Sequence, residues 1–154
     1  MTQKIVPCLW FDGTAEEATE FYVSLFEDSE ILSGMRDPRT GNVISTSFRI
    51  CGQQFMTING GPEFQFTEAT SFMVRCESQE EVDRLWDALT ADGGEESQCG
   101  WLKDKYGVSW QITPTRLLEL VSSGDPEGNS RATQAMLKMQ KIDIATIERA
   151  YAGE

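Results

Sequence analysis

Thr14-Ala15-Glu16-Glu17-Ala18-Thr19-Glu20-Phe21-Tyr22-Val23-Ser24-Leu25 and Ser78-Gln79-Glu80-Glu81-Val82-Asp83-Arg84-Leu85-Trp86-Asp87-Ala88-Leu89 are one device written twice, and their reading decides the fold. Each opens with a capping box, Thr14-x-x-Glu17 and Ser78-x-x-Glu81, which satisfies the first free N–H groups of a helix. Each continues with an apolar stripe at helical spacing. The first is Ala18, Phe21, Tyr22 and Leu25; the second is Val82, Leu85, Trp86 and Leu89, each member 64 residues on. The spacing predicts two amphipathic helices with one buried face apiece. Their recurrence predicts a duplicated unit.

Working outward, a strand-like run precedes each helix: residues 5–11, bounded by Asp12-Gly13, and Ser71–Cys76, bounded by Glu77-Ser78. Further apolar runs follow each helix, at 30–35, Val43–Ile50 and 53–58, and at 95–99, 101–105 and 108–113. Cys51-Gly52 and Tyr106-Gly107 mark hairpin turns before the last strand of each half. Each half reads β-α-β-β-β, and the fold class is α+β. The predicted organisation is a domain over 1–121 (half one 1–60, connection 61–70, half two 71–114, short helix 115–121) and a helical tail over 122–154. Leu117, Leu118 and Val121 suggest the short helix that closes the domain, ahead of the tail. A Gly/Pro/Ser-rich loop covers 122–130. Ala132, Ala135, Met136 and Met139 suggest a second helix, and Ile144, Ile147 and Tyr151 a third, capped by Asp143.

The chain has 154 residues, 13 basic and 25 acidic, for a formal net charge of −12. That balance argues against nucleic acid or an anionic membrane as partner, since both need a positive face. There is no histidine, and the four cysteines, Cys8, Cys51, Cys76 and Cys99, form no C-x-x-C pair. A structural zinc site is therefore not expected. No leader or membrane span is read, so the thiols are expected to be reduced and the protein cytoplasmic.

Four stretches carry a family resemblance: Pro7-Cys8-Leu9-Trp10-Phe11-Asp12-Gly13, Ala18 to Phe21-Tyr22, Gly61-Pro62-Glu63-Phe64-Gln65-Phe66-Thr67-Glu68-Ala69, and Asp104-Lys105-Tyr106-Gly107-Val108-Ser109-Trp110-Gln111. With the tandem βαβββ pattern, the chain resembles the PhnB-like, demethylubiquinone methyltransferase-like branch of the vicinal oxygen chelate superfamily, which includes glyoxalase I and bleomycin-resistance proteins. The resemblance implies sheets curled around a cavity, a homodimer, and metal ligands (His, Gln or Glu) on the first and last strands of each half in the metal-dependent members. Those positions fall here on Pro7, Met56, Ser71 and Gln111. Proline has no donor, serine is a poor neutral ligand and methionine suits soft Cu(I). The metal set therefore reads as erased, and no cofactor is expected. A methyl-donor site would need a Gly-rich turn opening a Rossmann-type helix. Gly60-Gly61 and Gly93-Gly94 lack that context.

Strand alternation from those positions gives cavity candidates: Leu9, Phe11, Met73 and Arg75 from the first strands, and Gln54, Met56, Ser109 and Gln111 from the last. On that reading Cys8, Trp10 and Cys76 pack behind the sheets. A mixed wall with Arg75, Ser109, Gln111 and Gln54 as polar points suits an unknown small organic ligand bearing an anionic or carbonyl group. The leading expectation is binding without turnover. Three alternatives stay open: a metal-independent enzyme polarising a carbonyl with Arg75 and Gln111, a metal-dependent lyase or dioxygenase if the ligand mapping is wrong, and a scaffold whose Met136, Met139, Ile144 and Ile147 pack on a partner. Glu63, Glu68 and Asp104 read as solvated loop residues.

Overall fold

The computed structural model describes residues 3–154. The chain forms two compact units that meet in sequence at Phe66 and Thr67. The first contains β1 (Cys8–Phe11), α1 (Ala15–Leu25), β2 (Glu30–Arg36), β3 (Val43–Ile50) and β4 (Gln53–Asn59). Its sheet runs β1-β4-β3-β2, with β1 and β4 parallel and the other pairs antiparallel. Cys51 and Gly52 both take positive φ (49° and 78°), as a two-residue turn following the strand twist requires.

Helix α1 lies on β2, β3 and β4. Ala15, Ala18 and Tyr22 are buried there, as are Leu9, Phe11, Phe48, Ile50 and Phe55 from the strands. The rings of Phe48 and Phe55 stack at 5.4 Å. Three buried threonines cross this layer. Thr19 Oγ1 donates to the Ala15 carbonyl (2.7 Å), which leaves Thr46 to donate to Thr19 and Thr57 to Thr46, since each hydroxyl has one proton. The expected cap is corrected: Thr14 makes no side-chain cap bond, and Asn59 Oδ1 at the end of β4 accepts Ala15 N–H instead, at 2.9 Å. In the second helix Ser78 Oγ does accept Glu81 N–H, at 3.2 Å.

The second unit contains β5 (Ser71–Cys76), α2 (Gln79–Thr90), β6 (Glu95–Glu96), β7 (Trp101–Lys103) and β8 (Ser109–Pro114), ordered β5-β8-β7-β6. β6 and β7 are shorter than expected. Cys99 and Gly100 take positive φ (59° and 83°) and break the first run, and Asp104 leaves the ladder to build a loop. Within each unit the sheet does not close on itself. The sheets are open, which corrects the expectation of sheets curled around a cavity.

α3 (Thr115–Val121) and the tail helices α4 (Pro126–Met136) and α5 (Ile144–Ala152) belong to the second unit. The loop expected over 122–130 is shorter, because Pro126 suits the first turn of a helix. Gly128 is a packing requirement there, since a Cβ would lie 2.7 Å from the Tyr151 ring. Leu117, Leu120, Ala132, Ile142 and Ile147 form one buried cluster, with Met136 and Met139 packed against it. The residues expected to meet a partner thus include Met136, Met139 and Ile147, which pack within the tail's own core. Gln79 pins the tail to α2: its side chain donates to the Ile142 carbonyl (3.0 Å) and accepts from Ile144 N–H (2.8 Å). Among the described residues no helix is long and apolar enough to cross a membrane.

Candidate functional site

Each sheet has one face under its helix and one face turned away from it, and strand register assigns every candidate to one or the other. In the second sheet Ser71 pairs with Ser109, Met73 with Gln111, and Arg75 with Thr113. Paired residues share a face, so these candidates lie together. Trp101 and Lys103 join them, opposite Gln111 and Ser109. The alternate residues Leu102, Trp110 and Ile112 are buried, as is the Val82, Leu85, Trp86 and Leu89 stripe of α2. Met73 and Arg75 are exposed. Gln111 Nε2 donates to Ser71 Oγ at 2.9 Å. Ser109 is 1% exposed, and among the described residues its hydroxyl has no hydrogen-bond partner.

In the first sheet Gln54 and Met56 lie on the face away from α1. Gln54 donates to Ser47 Oγ (3.1 Å), and Met56 is 39% exposed. β1 corrects the sequence reading. Cys8 pairs with Met56 and Trp10 with Ile58, so Cys8 and Trp10 occupy that face. Leu9 and Phe11, expected to line the ligand cavity, are 6% and 3% exposed on the helix side. The reason lies in a connection. Three residues, Asp12 to Thr14, separate β1 from α1, whereas only Glu77 and Ser78 separate β5 from α2. The helices therefore repeat at 64 residues, but the first strands repeat at 65, from Cys8 to Met73, as their pairing with Met56 and Gln111 shows. A shift of one residue turns every side chain to the other face.

The same shift moves the first-half counterpart of Ser71 from Pro7 to Val6, which likewise offers no donor. The Pro7 carbonyl accepts Met56 N–H at 2.9 Å, as ordinary backbone. Ser71 and Gln111 hydrogen-bond to each other. Among the described residues no three His, Cys, Asp or Glu stand close enough to hold a metal ion. The donors at these positions do not fit a divalent cation, and no chemistry is routed through one.

Neither Cys76 nor Cys8 is activated. Burial, then the Glu81 carboxylate, push Cys76 up to about 12. Burial also raises Cys8, which is exposed rather than behind the sheet, by the register shift just described. The glycine pairs are accounted for by packing at one member and positive φ at the other, 96° for Gly61 and 110° for Gly93. A Cβ on Gly60 would lie 2.2 Å from the Trp10 ring, and one on Gly94 would lie 2.6 Å from the Leu89 carbonyl oxygen.

Asp104, expected at the surface, is 2% exposed. Its Oδ1 accepts Tyr106 N–H (2.8 Å) and Val108 N–H (3.1 Å), and its Oδ2 accepts Trp110 Nε1–H (2.9 Å). It organises the β7–β8 loop. A groove of about 500 Å³ lies on the helix side of the first unit, lined by Glu16, Thr19, Ile31, Arg36, Val43 and Thr46 among others. Its threonines bond one another and Arg36 is paired with Glu16 at 2.8 Å, so among the described residues none of its buried side-chain polar atoms lacks a partner. Sequence reasoning missed Glu95, Trp101 and Lys103 as companions of Ser109. Alternation places Trp101 and Lys103 on one face, but only the register joins that face to Ser109.

A family model for 3-demethylubiquinone-9 3-methyltransferase matches residues 3–113. Among solved structures, a PhnB protein from Bacillus cereus is 42% identical, with a TM-score of 0.69, covering 73% of this chain and 100% of that one. Protein PA1353 from Pseudomonas aeruginosa shares the fold at 21% identity and a TM-score of 0.59, covering 73% and 98%. So does the fosfomycin resistance protein FosX from Listeria monocytogenes, solved with Mn(II) and sulfate, at 16% identity and a TM-score of 0.51, covering 71% and 87%. No curated protein sequence matches.

Proposed function

Because the chain belongs to the PhnB-like 3-demethylubiquinone-9 3-methyltransferase family, with its glyoxalase/bleomycin-resistance fold, we propose that it binds a small organic molecule bearing an anionic or carbonyl group on the face of its second sheet away from α2, without a metal. Arg75 carries this reading. Arg36, Arg39, Arg49 and Arg116 are ion-paired, and Arg131 and Arg149 are hydrogen-bonded. Arg75 alone of these seven has no hydrogen-bond or ion-pair partner among the described residues, in a chain with 25 acidic side chains to offer. A guanidinium left open beside Met73 and the Ser71–Gln111 pair suits a carboxylate or carbonyl oxygen with an apolar body.

The same reading takes the protein to be a cytoplasmic homodimer. Met35 on β2 and Met56 and Ile58 on β4 are exposed apolar side chains on the face of the first sheet away from α1, where a second copy would cover them. Methyl transfer is not proposed, since the glycine pairs are explained by local packing and backbone conformation.

Melting temperature in the presence of acetate, pyruvate or phosphate tests the ligand class. A bound ligand at ten times its Kd adds about 1.4 kcal/mol to stability. At least one probe is expected to raise the melting temperature of the wild type, and Arg75→Ala is expected to abolish the rise while melting normally without ligand. An equal response in Arg75→Ala, or none in the wild type, would sink the reading.

A further inference from the structure

We infer that the β6–β7 corner of the same sheet face is a site for a small organic cation, the ammonium head of an amine. Glu95 pairs with Lys103 and Lys103 with Ser109, so the three side chains form a row across β6, β7 and β8. Trp101 lies on the same face, and Glu68 reaches in to ion-pair with Lys103. Together with Ser97 they line a cavity of about 110 Å³. At roughly 30 Å³ per water molecule, that is room for an aminomethyl group and little more.

Two independent features fix the chemistry. The first is Ser109, which lines the cavity, is 1% exposed and has a hydroxyl with no partner among the described residues. A buried hydroxyl is costly unless it is hydrogen-bonded, so its environment calls for a donor or acceptor. The second is charge. Glu96 also borders the cavity, but its carboxylate accepts Trp86 Nε1–H at 2.5 Å. Glu68 and Glu95 then face the single ammonium of Lys103, which leaves one carboxylate in excess, and Glu96, which keeps its charge when it accepts from a neutral indole, adds to the negative balance. An anion is repelled there. Among the described residues no three His, Cys, Asp or Glu converge there to hold a metal ion. An alkylammonium matches each element: one N–H donates to Ser109 Oγ, another to the Glu95 carboxylate, and the cation and its methylene rest against the Trp101 indole.

The site goes beyond the reading built on Arg75 and does not depend on it. Arg75 is on β5 and Glu95 on β6, at opposite edges of the sheet. With strands about 4.8 Å apart, they are at least roughly 14 Å distant. The acidic balance of the chain and its unpaired arginine, which point to ligands of opposite charge, thus act at separate places.

The test is a titration of the full chain with methylammonium chloride, following the Trp101 indole N–H resonance, which Trp101→Phe identifies by its loss. Sodium chloride at matched ionic strength and methanol serve as controls. The expected result is a saturable shift with a Kd on the order of 10 mM, close to the best a two-atom ligand can reach. Glu95→Gln and Ser109→Ala should each weaken it roughly tenfold. Ser109→Ala removes an unsatisfied hydroxyl and should melt no lower than the wild type. The proposal is overturned if no saturable shift occurs, if methanol or sodium chloride reproduces it, or if both variants respond like the wild type.

Discussion

Replacing Asp104 with alanine is expected to lower the free energy of unfolding by about 3–5 kcal/mol. The change leaves Tyr106 N–H, Val108 N–H and Trp110 Nε1–H without their acceptor around a buried carboxylate. Each such loss costs about 1–3 kcal/mol, and the three are not additive because the loop relaxes as a whole. Asp104→Asn keeps one oxygen as acceptor and should cost less than the alanine change. Urea unfolding followed by circular dichroism measures both, with an unchanged m-value showing that the effect lies in stability. A loss under about 0.5 kcal/mol would mean a solvated carboxylate, as the sequence alone suggested.

Phe11→Ala is expected to cost about 3–5 kcal/mol, in line with removing a buried aromatic side chain. Phe11 is 3% exposed, and its ring meets Phe66 edge-on at 5.3 Å. Its neighbour on the other face makes the contrast: Cys8→Ala should change stability by less than about 0.5 kcal/mol. Equilibrium unfolding of the pair reads the orientation of β1 directly. Were Phe11 on the ligand-facing side, its truncation would leave stability nearly intact, and Cys8→Ala would carry the larger penalty.

These two residues mark where the sequence was legible and where it was not. The two stripes could be read because helical periodicity is local: Ala18 with Tyr22, and Val82 with Trp86, sit four residues apart on one face. The hairpin at Cys51-Gly52 could be read for the same reason. The side on which β1 presents Leu9 and Phe11 could not be read, because it depends on counting residues between a strand and a helix, and Thr14 looks like a cap whether or not it serves as one. The true cap, Asn59, is 44 residues from Ala15. Gln79 is similar: it holds the tail through Ile142 and Ile144, 63 and 65 residues away, and nothing local announces that. Asp104 was half legible. Asp104-x-x-Gly107 is a turn signature, but its burial comes from Trp110, across the hairpin.

Within the candidate site, Met73, Arg75, Ser109 and Gln111 follow one alternation along two paired strands, which is why sequence placed them on one face. Glu95, Trp101 and Lys103 join them only through a register set by the positive-φ residues Cys99 and Gly100.

The central claim is a PhnB-like chain that has kept the fold and lost the donors that would hold a metal. Native mass spectrometry of the full chain in excess Mn(II) tests it most directly, because one spectrum reports both subunit count and bound metal. The account predicts a dimer carrying no stoichiometric manganese. One manganese held per chain would contradict it and return metal-assisted catalysis to the front.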